Sequence, residues 1–390
     1  MSAAVSDNAI LAVSARAAQL RAEGVDVVSL AAGEPDTPTP PAITAAAAAA
    51  ALHGDHHYGP AVGDPALRAA IADRLPTVSP RFTAHDVQVT LGTKHALFLG
   101  LQALLEPGDE VLLAQPGWPG HTGALLAAGG QKVCVPVSAE TGFLASAADL
   151  EAARTPRTRA VVLASPANPS GAVYTADQLT AIAEWALAHD VWVVSDDVYD
   201  QFVYDADSAP HVLTLVPGLR DRCLVVSGVS KAYAMTGWRI GWLAGPPAIV
   251  AAARKHVART ITHVPTVTQA AALAALVGDQ QPVHEAFARY GRNRDVLATG
   301  LDGIPGVRCP APAGGMFVFP DVTGLLERGP WATTVELATW LLEDAGVAVV
   351  PGEAFDAPGH LRLCFAVSPD TLDTAAARLV EHLDRAGSRG

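Results

Sequence analysis

The sequence predicts an α/β protein, with a mostly parallel seven-stranded sheet in a large domain and a second, smaller α/β domain. Three observations carry this. Short apolar runs, many Val-rich, recur at 87–91, 110–114, 132–137, 160–164, 191–195, 224–227 and 240–244. Helix-length stretches such as 175–189 separate most of them. From about residue 282 the pattern changes to longer helices with a few strands, at 347–350 and 361–365. Continuous apolar strands alternating with helices are the pattern of a parallel sheet covered on both faces. The run 240–244 follows too closely on 224–227 for a helical crossover, so an antiparallel pairing fits it.

The alanine run 45–51 follows Thr-Pro-Pro-Ala-Ile-Thr and reads as an ordinary helix of high propensity. Half of the 390 residues are hydrophobic and 17% are charged, which is a globular composition. The net charge of −13 speaks against nucleic acid and against anionic membrane surfaces as partners. In so acidic a chain the few basic residues mark where an anion would bind. Cysteines at 134, 223, 309 and 364 form no CxxC pair, so packed thiols are expected, with neither a zinc site nor a disulfide framework. His53, His56 and His57 have only Asp55 as a nearby carboxylate and read as a solvated loop, with no metal. The start MSAAVSDNAI has neither a basic segment nor an apolar core, so no leader is expected and the expected location is cytoplasmic. No uncharged apolar run is long enough for a membrane span.

In an open parallel sheet, ligands bind beyond the carboxyl ends of the strands. There the sequence places Gly92-Thr93-Lys94, then Gln115-Pro116-Gly117-Trp118-Pro119-Gly120-His121, Ser165-Pro166-Ala167-Asn168-Pro169, Asp196-Asp197 with Tyr199, and Ser230-Lys231. A loop lysine can form an imine with an aldehyde cofactor. A carboxylate can keep a pyridine nitrogen protonated, and an aromatic ring can stack on the heterocycle. A Gly-Thr pair opening a helix offers N–H donors to a phosphate, and an arginine near the lysine can add a bidentate contact.

The segment 227–241, SGVSKAYAMTGWRIG, resembles the lysine motif of the class I aminotransferases, fold-type I enzymes dependent on pyridoxal 5'-phosphate (PLP). It matches at Gly228, Ser230, Lys231, Met235, Gly237, Arg239 and Gly241. The resemblance covers nearly the whole chain and is nearest to bacterial aspartate and aromatic amino acid aminotransferases. Ser29-Leu30-Ala31-Ala32-Gly33-Glu34-Pro35-Asp36 resembles the N-terminal substrate loop. Tyr58-Gly59-Pro60 resembles the segment offered by the partner subunit, and Asn168-Pro169-Ser170-Gly171 the Asn-Pro-Thr-Gly turn. Arg362 sits where the family has its substrate-carboxylate arginine. His121 resembles its counterpart in enteric and animal aspartate aminotransferases, where it supports the aspartate on the ring nitrogen.

The resemblance implies an aminotransferase acting on an amino acid and a 2-oxo acid, as a homodimer. The implied division is an arm at 1–13, a small domain at 14–40 with 282–390, and a large PLP-binding domain at 41–281. It implies that Lys231, after Ser230, bonds the cofactor covalently and shuttles the substrate proton. Asp196 would pair with the ring nitrogen, Tyr199 and Asn168 with the ring hydroxyl oxygen, and Trp118 would stack on the ring. Gly92, Thr93, Lys94, Arg239 and Tyr58 of the other subunit would surround the phosphate. Arg362, Asn168, Trp118 and the Gly33 backbone would hold the substrate carboxylate. Lys94 is left between two roles, the phosphate and a distal carboxylate of an acidic substrate.

Plainer readings stand beside these. Lys231 and Arg362 could be surface residues, Trp118 plain core, and Asn168-Pro169-Ser170-Gly171 only a turn. Asp196-Asp197 could be a helix N-cap pair; the cofactor role suits Asp196, which directly follows a buried strand, and the cap role suits Asp197. The same motifs serve β-lyases, cyclases and oxidases that use PLP, and PLP-binding regulators carry a DNA-binding domain in front of a similar fold, for which the chain start leaves no room. A nicotinamide oxidoreductase would need a GxGxxG turn, and none follows the early strands.

Overall fold

The computed structural model describes residues 9–206 and 208–387. The chain divides into two compact units. One takes in the residues up to Thr37, Asn168–Gly171 and those from Glu285 onward; the other takes in Pro38–Ala167 and Ala172–His284.

The smaller unit begins with the helix Ala9–Ala22, so residues 9–13 of the expected arm are helical, while residues 1–8 lie outside the described residues. A short strand β1 (Val28–Ser29) pairs in parallel with β10 (Val347–Ala348). A three-stranded antiparallel sheet has the order β11 (Val350–Pro351), β12 (Leu361–Cys364), β9 (Phe317–Val318). The run expected as one strand at 347–350 is therefore two strands with partners in different sheets. All its side chains are buried, so it has no polar alternation to mark the change of partner. The helix Pro369–Gly387 follows.

In the larger unit seven strands form one sheet: β2 (Val87–Thr90), β3 (Glu110–Gln115), β4 (Gln131–Pro136), β5 (Thr158–Ala164), β6 (Trp192–Asp196), β7 (Cys223–Gly228) and β8 (Gly241–Ala244). Their order is β2-β8-β7-β6-β5-β3-β4. All neighbours are parallel except β8, which runs antiparallel to both β2 and β7, as the short connection after β7 required. Along β5, Val161 and Leu163 enter one apolar core while Ala160 and Val162 enter another. The first core takes Ile182 and Ala183 from the helix Ala176–Ala188, and the second takes Leu97 and Leu101 from the helix Thr93–Leu104. Both faces are thus covered, which is why the strands read as continuous apolar runs. The alanine-rich segment is the helix Pro41–His53, which packs against the helix Thr266–Val277.

The chain winds outward from β3 to β4, then returns to the other side of β3 and continues through β5, β6 and β7. That reversal opens a crevice at the carboxyl ends of β3 and β5, the place where such sheets bind ligands.

Candidate active site

The glycines after β2 and around β7 and β8 make the first part of the site. Gly92 caps the helix Thr93–Leu104 with φ +82°, a left-handed conformation open to glycine. A Cβ there would come within 2.6 Å of Arg239 Nη2, and one on Gly228 within 2.9 Å of Thr93 Oγ1. A Cβ on Gly241 would meet Thr93 N at 2.7 Å. The backbone is therefore bare of side chains where Arg239 meets a helix N-terminus, whose first N–H groups have no intrahelical partner. Arg239 itself adopts φ +55°, which costs a non-glycine residue roughly 1–2 kcal/mol, and its Nη1 donates to Thr236 O at 2.6 Å. Thr93 Oγ1 is a buried hydroxyl with no hydrogen-bond partner among the described residues. A guanidinium, helix N–H groups and an unsatisfied hydroxyl converging on a glycine cradle suit a phosphate.

The second part starts at Asp196, the last residue of β6 and 3% exposed. His121 Nε2 lies 2.8 Å from Asp196 Oδ2, and Val198 N–H donates to Oδ1 at 3.3 Å. The carboxylate is thus aimed by two partners. The Trp118 ring meets His121 edge-on, with centroids 5.1 Å apart, and Lys94 Nζ lies 5.2 Å from the Trp118 ring centroid. Lys94, Trp118, His121 and Asp196 therefore form one continuous chain of contacts across the strand ends. Tyr199 is buried beside Phe202. Ser230 is buried, and Lys231 follows it, half-buried, in the loop after β7. The ring of Tyr58 is edge-on to His263 and 87% exposed.

Asp197 differs from its expected cap role. Its carboxylate accepts from Ser195 Oγ at 2.5 Å and lies 3.1 Å from His211 Nε2, and no helix begins there. Asp196, through Val198 N–H, makes the cap-like turn instead. Nothing local announced His211, whose Nδ1 accepts from Leu213 N–H at 3.1 Å and starts a short helix.

In the smaller unit Arg362 is 2% exposed on β12. Its guanidinium carbon lies 4.3 Å from the Phe317 ring centroid and 4.9 Å from that of Phe355. Nη2 donates to Ala31 O at 2.8 Å and Nη1 to Asn168 Oδ1 at 3.3 Å. A Cβ on Gly33 would lie 3.6 Å from Arg362 Nη2, so the Gly33 backbone borders the guanidinium. The turn that presents Asn168 ends in Gly171, at φ +67°, where a Cβ would fall 2.4 Å from Pro312 Cβ. The expected site residues thus gather as Gly92, Thr93 and Arg239, as Lys94, Trp118 and Asp196, and as Gly33, Asn168 and Arg362. Phe317 and Phe355, which clamp Arg362, had no sequence signal beyond being apolar.

The profile of the family described as Aminotransferase class I and II matches residues 25–379. An aspartate aminotransferase of Streptomyces avermitilis is 43% identical over 390 residues, covering 98% of this chain and 95% of that protein. An aspartate/prephenate aminotransferase of Thermus thermophilus is 38% identical, covering 98% of each chain. Among solved structures, the aspartate aminotransferase of Rhizobium meliloti superposes with a TM-score of 0.92 at 37% identity, over 98% of this chain and 97% of that one. The Thermus thermophilus aspartate aminotransferase solved with maleate gives 0.87 at 39% identity, over 96% of each.

Proposed function

We infer that this chain, which belongs to the class I and II aminotransferase family and is a PLP-dependent transaminase, moves amino groups between dicarboxylic amino acids and 2-oxo acids. The observation that carries the reading is the cradle of Gly92, Thr93 and Arg239, with its buried unsatisfied hydroxyl, at a helix N-terminus. Those groups fit a phosphate monoester, and Asp196, oriented by His121, fits a protonated ring nitrogen.

When bound, PLP supplies an aldehyde that takes up the amino group and a ring that accepts the electron pair left on the substrate α-carbon. In this reading the Lys231 ε-amino group would anchor the cofactor and, once displaced by the incoming amino acid, would be the base that moves the substrate α-proton. Asp196, its carboxylate oriented by His121, would hold a protonated ring nitrogen. Trp118 would hold the ring, and Tyr199 and Asn168 would hold its hydroxyl oxygen. Ser230, Arg239, Thr93 and the Gly92–Lys94 backbone hold the phosphate. Arg362, with Asn168 and the Gly33 backbone beside it, would hold the α-carboxylate, a role Trp118 would share. Lys94, over the Trp118 ring, is the cation for a distal carboxylate. The dicarboxylic preference draws support from relatives named for aspartate and from the neighbour solved with maleate, a dicarboxylate.

A homodimer is part of the proposal: Tyr58, an almost fully exposed aromatic, would reach the partner's phosphate site. Four unbridged cysteines, with Cys134 exposed, support a reducing cytoplasmic setting. Mixing the PLP-loaded protein with L-aspartate or L-glutamate should bleach its visible absorbance, and oxaloacetate or 2-oxoglutarate should restore it. Stoichiometric exchange supports transamination over β-elimination; product formed without exchange refutes it.

A further inference from the structure

The loop from Lys231 to Arg239 bears the proposed anchor at one end and the phosphate-facing guanidinium at the other; Tyr233 and Met235 tie it to the apolar core, while its other side borders open space. Two of its non-glycine residues, Ala234 at φ +51° and Arg239 at φ +55°, hold left-handed conformations that the surroundings must enforce. Its backbone closures are Tyr233 N–H to Val229 O at 3.3 Å, Met235 N–H to Ser230 O at 3.0 Å, Trp238 N–H to Met235 O at 3.2 Å, and a long Ala234 N–H to Lys231 O at 3.4 Å. On one side Ala234, Gly237 and Trp238 face an open cavity of about 350 Å³, shared with Thr39 and Thr268. Side-chain packing therefore does not hold the loop on that side.

A hydroxyl from a remote part of the chain does. Thr39 Oγ1 donates to Ala234 O at 2.7 Å and accepts from Trp238 Nε1 at 3.0 Å. One side chain thus engages the left-handed residue and the last residue of the turn before Arg239, using both the donor and the acceptor capacity of the hydroxyl. Thr39 is itself placed by Pro40 and Pro41, which open the helix Pro41–His53 with fixed φ angles.

Resting on the reading that this loop serves PLP, we propose that Thr39 is a positioning residue. It touches neither substrate nor cofactor; through Ala234 and Trp238 it sets the spacing of Lys231 and Arg239 and so the fit of the loop to an aldehyde that bears a phosphate.

The test compares Thr39→Val, which keeps the shape and removes both hydrogen bonds, with Thr39→Ser, which keeps the hydroxyl. Trp238→Phe removes the indole donor and keeps an aromatic ring against the core. PLP affinity of the apoprotein, measured by fluorescence titration, should weaken about tenfold in T39V, about threefold in W238F and less than about twofold in T39S. The yield of borohydride-trapped adduct on Lys231 at limiting PLP should follow the same order, with unfolding temperatures of the apo forms as the control for general stability. T39V with wild-type affinity and trapping overturns the assignment, as does T39S as weak as T39V. If T39V does not fold, unchanged affinity in W238F overturns it instead. A wild-type protein that takes up no PLP would sink the functional reading itself, an outcome distinct from these.

Discussion

Arg362→Lys isolates what the guanidinium contributes beyond its charge. The native side chain is 2% exposed, lies between Phe317 and Phe355, and spends one nitrogen each on Ala31 O and Asn168 Oδ1. A planar fork in that setting can meet both oxygens of a carboxylate, whereas an ammonium can meet one well. Losing one charge-assisted hydrogen bond removes about 1.5–3 kcal/mol. At 1.36 kcal/mol per decade, kcat/KM should fall about ten- to 150-fold. The loss should be alike for aspartate and for alanine, because the α-carboxylate is common to both. PLP affinity should change less than about twofold, since Arg362 belongs to no part of the phosphate cradle. Single-turnover rates of the amino acid half-reaction, with and without a distal carboxylate, measure this. A normal kcat/KM, or a loss confined to acidic substrates, would refute the assignment.

Asp196→Ala should retain PLP through Lys231 and the phosphate groups yet lose at least about a hundredfold in single-turnover rate, because the anion that raises the ring-nitrogen pKa is gone; near-normal turnover would transfer the role elsewhere. Lys94→Met should raise KM for aspartate and glutamate while sparing neutral substrates, whereas equal losses for both would leave Lys94 as a phosphate ligand. His95 gives a pH signature in stability. Its pKa is lowered by burial, and Nδ1 accepts from Leu91 N–H at 3.1 Å. The unfolded chain therefore binds this proton more tightly, so the stability is complete above the unfolded value of about 6.5 and is lost as pH falls below it. Urea midpoints of His95→Asn should decline less than wild type between pH 8 and pH 5, and parallel curves would count against the idea.

Sequence alone determined the elements and the chemical inventory. The seven apolar runs became the seven strands because a strand buried on both faces is largely apolar along its length, as β5 and β7 are, while the edge strand β4 stays partly exposed. The segment 227–241 was legible for a related reason: Gly228 and Gly241 are needed where a Cβ would strike neighbouring backbone, and Lys231, the proposed anchor, lies in the same short stretch. The antiparallel β8 followed from chain length alone.

Tertiary structure decided which of those residues meet. His121 reaches Asp196 across 75 positions, Arg362 reaches Asn168 across 194, and Thr39 reaches Trp238 across 199. It also gave Asp197 to Ser195 and His211 rather than to a helix end, and it divided 347–350 between two sheets. Strand and helix periodicity reports only neighbours within a turn or a pleat. A contact between distant residues leaves no such trace, because closing a long loop costs little more than closing a shorter one and the partner is chosen by the packing of the whole sheet.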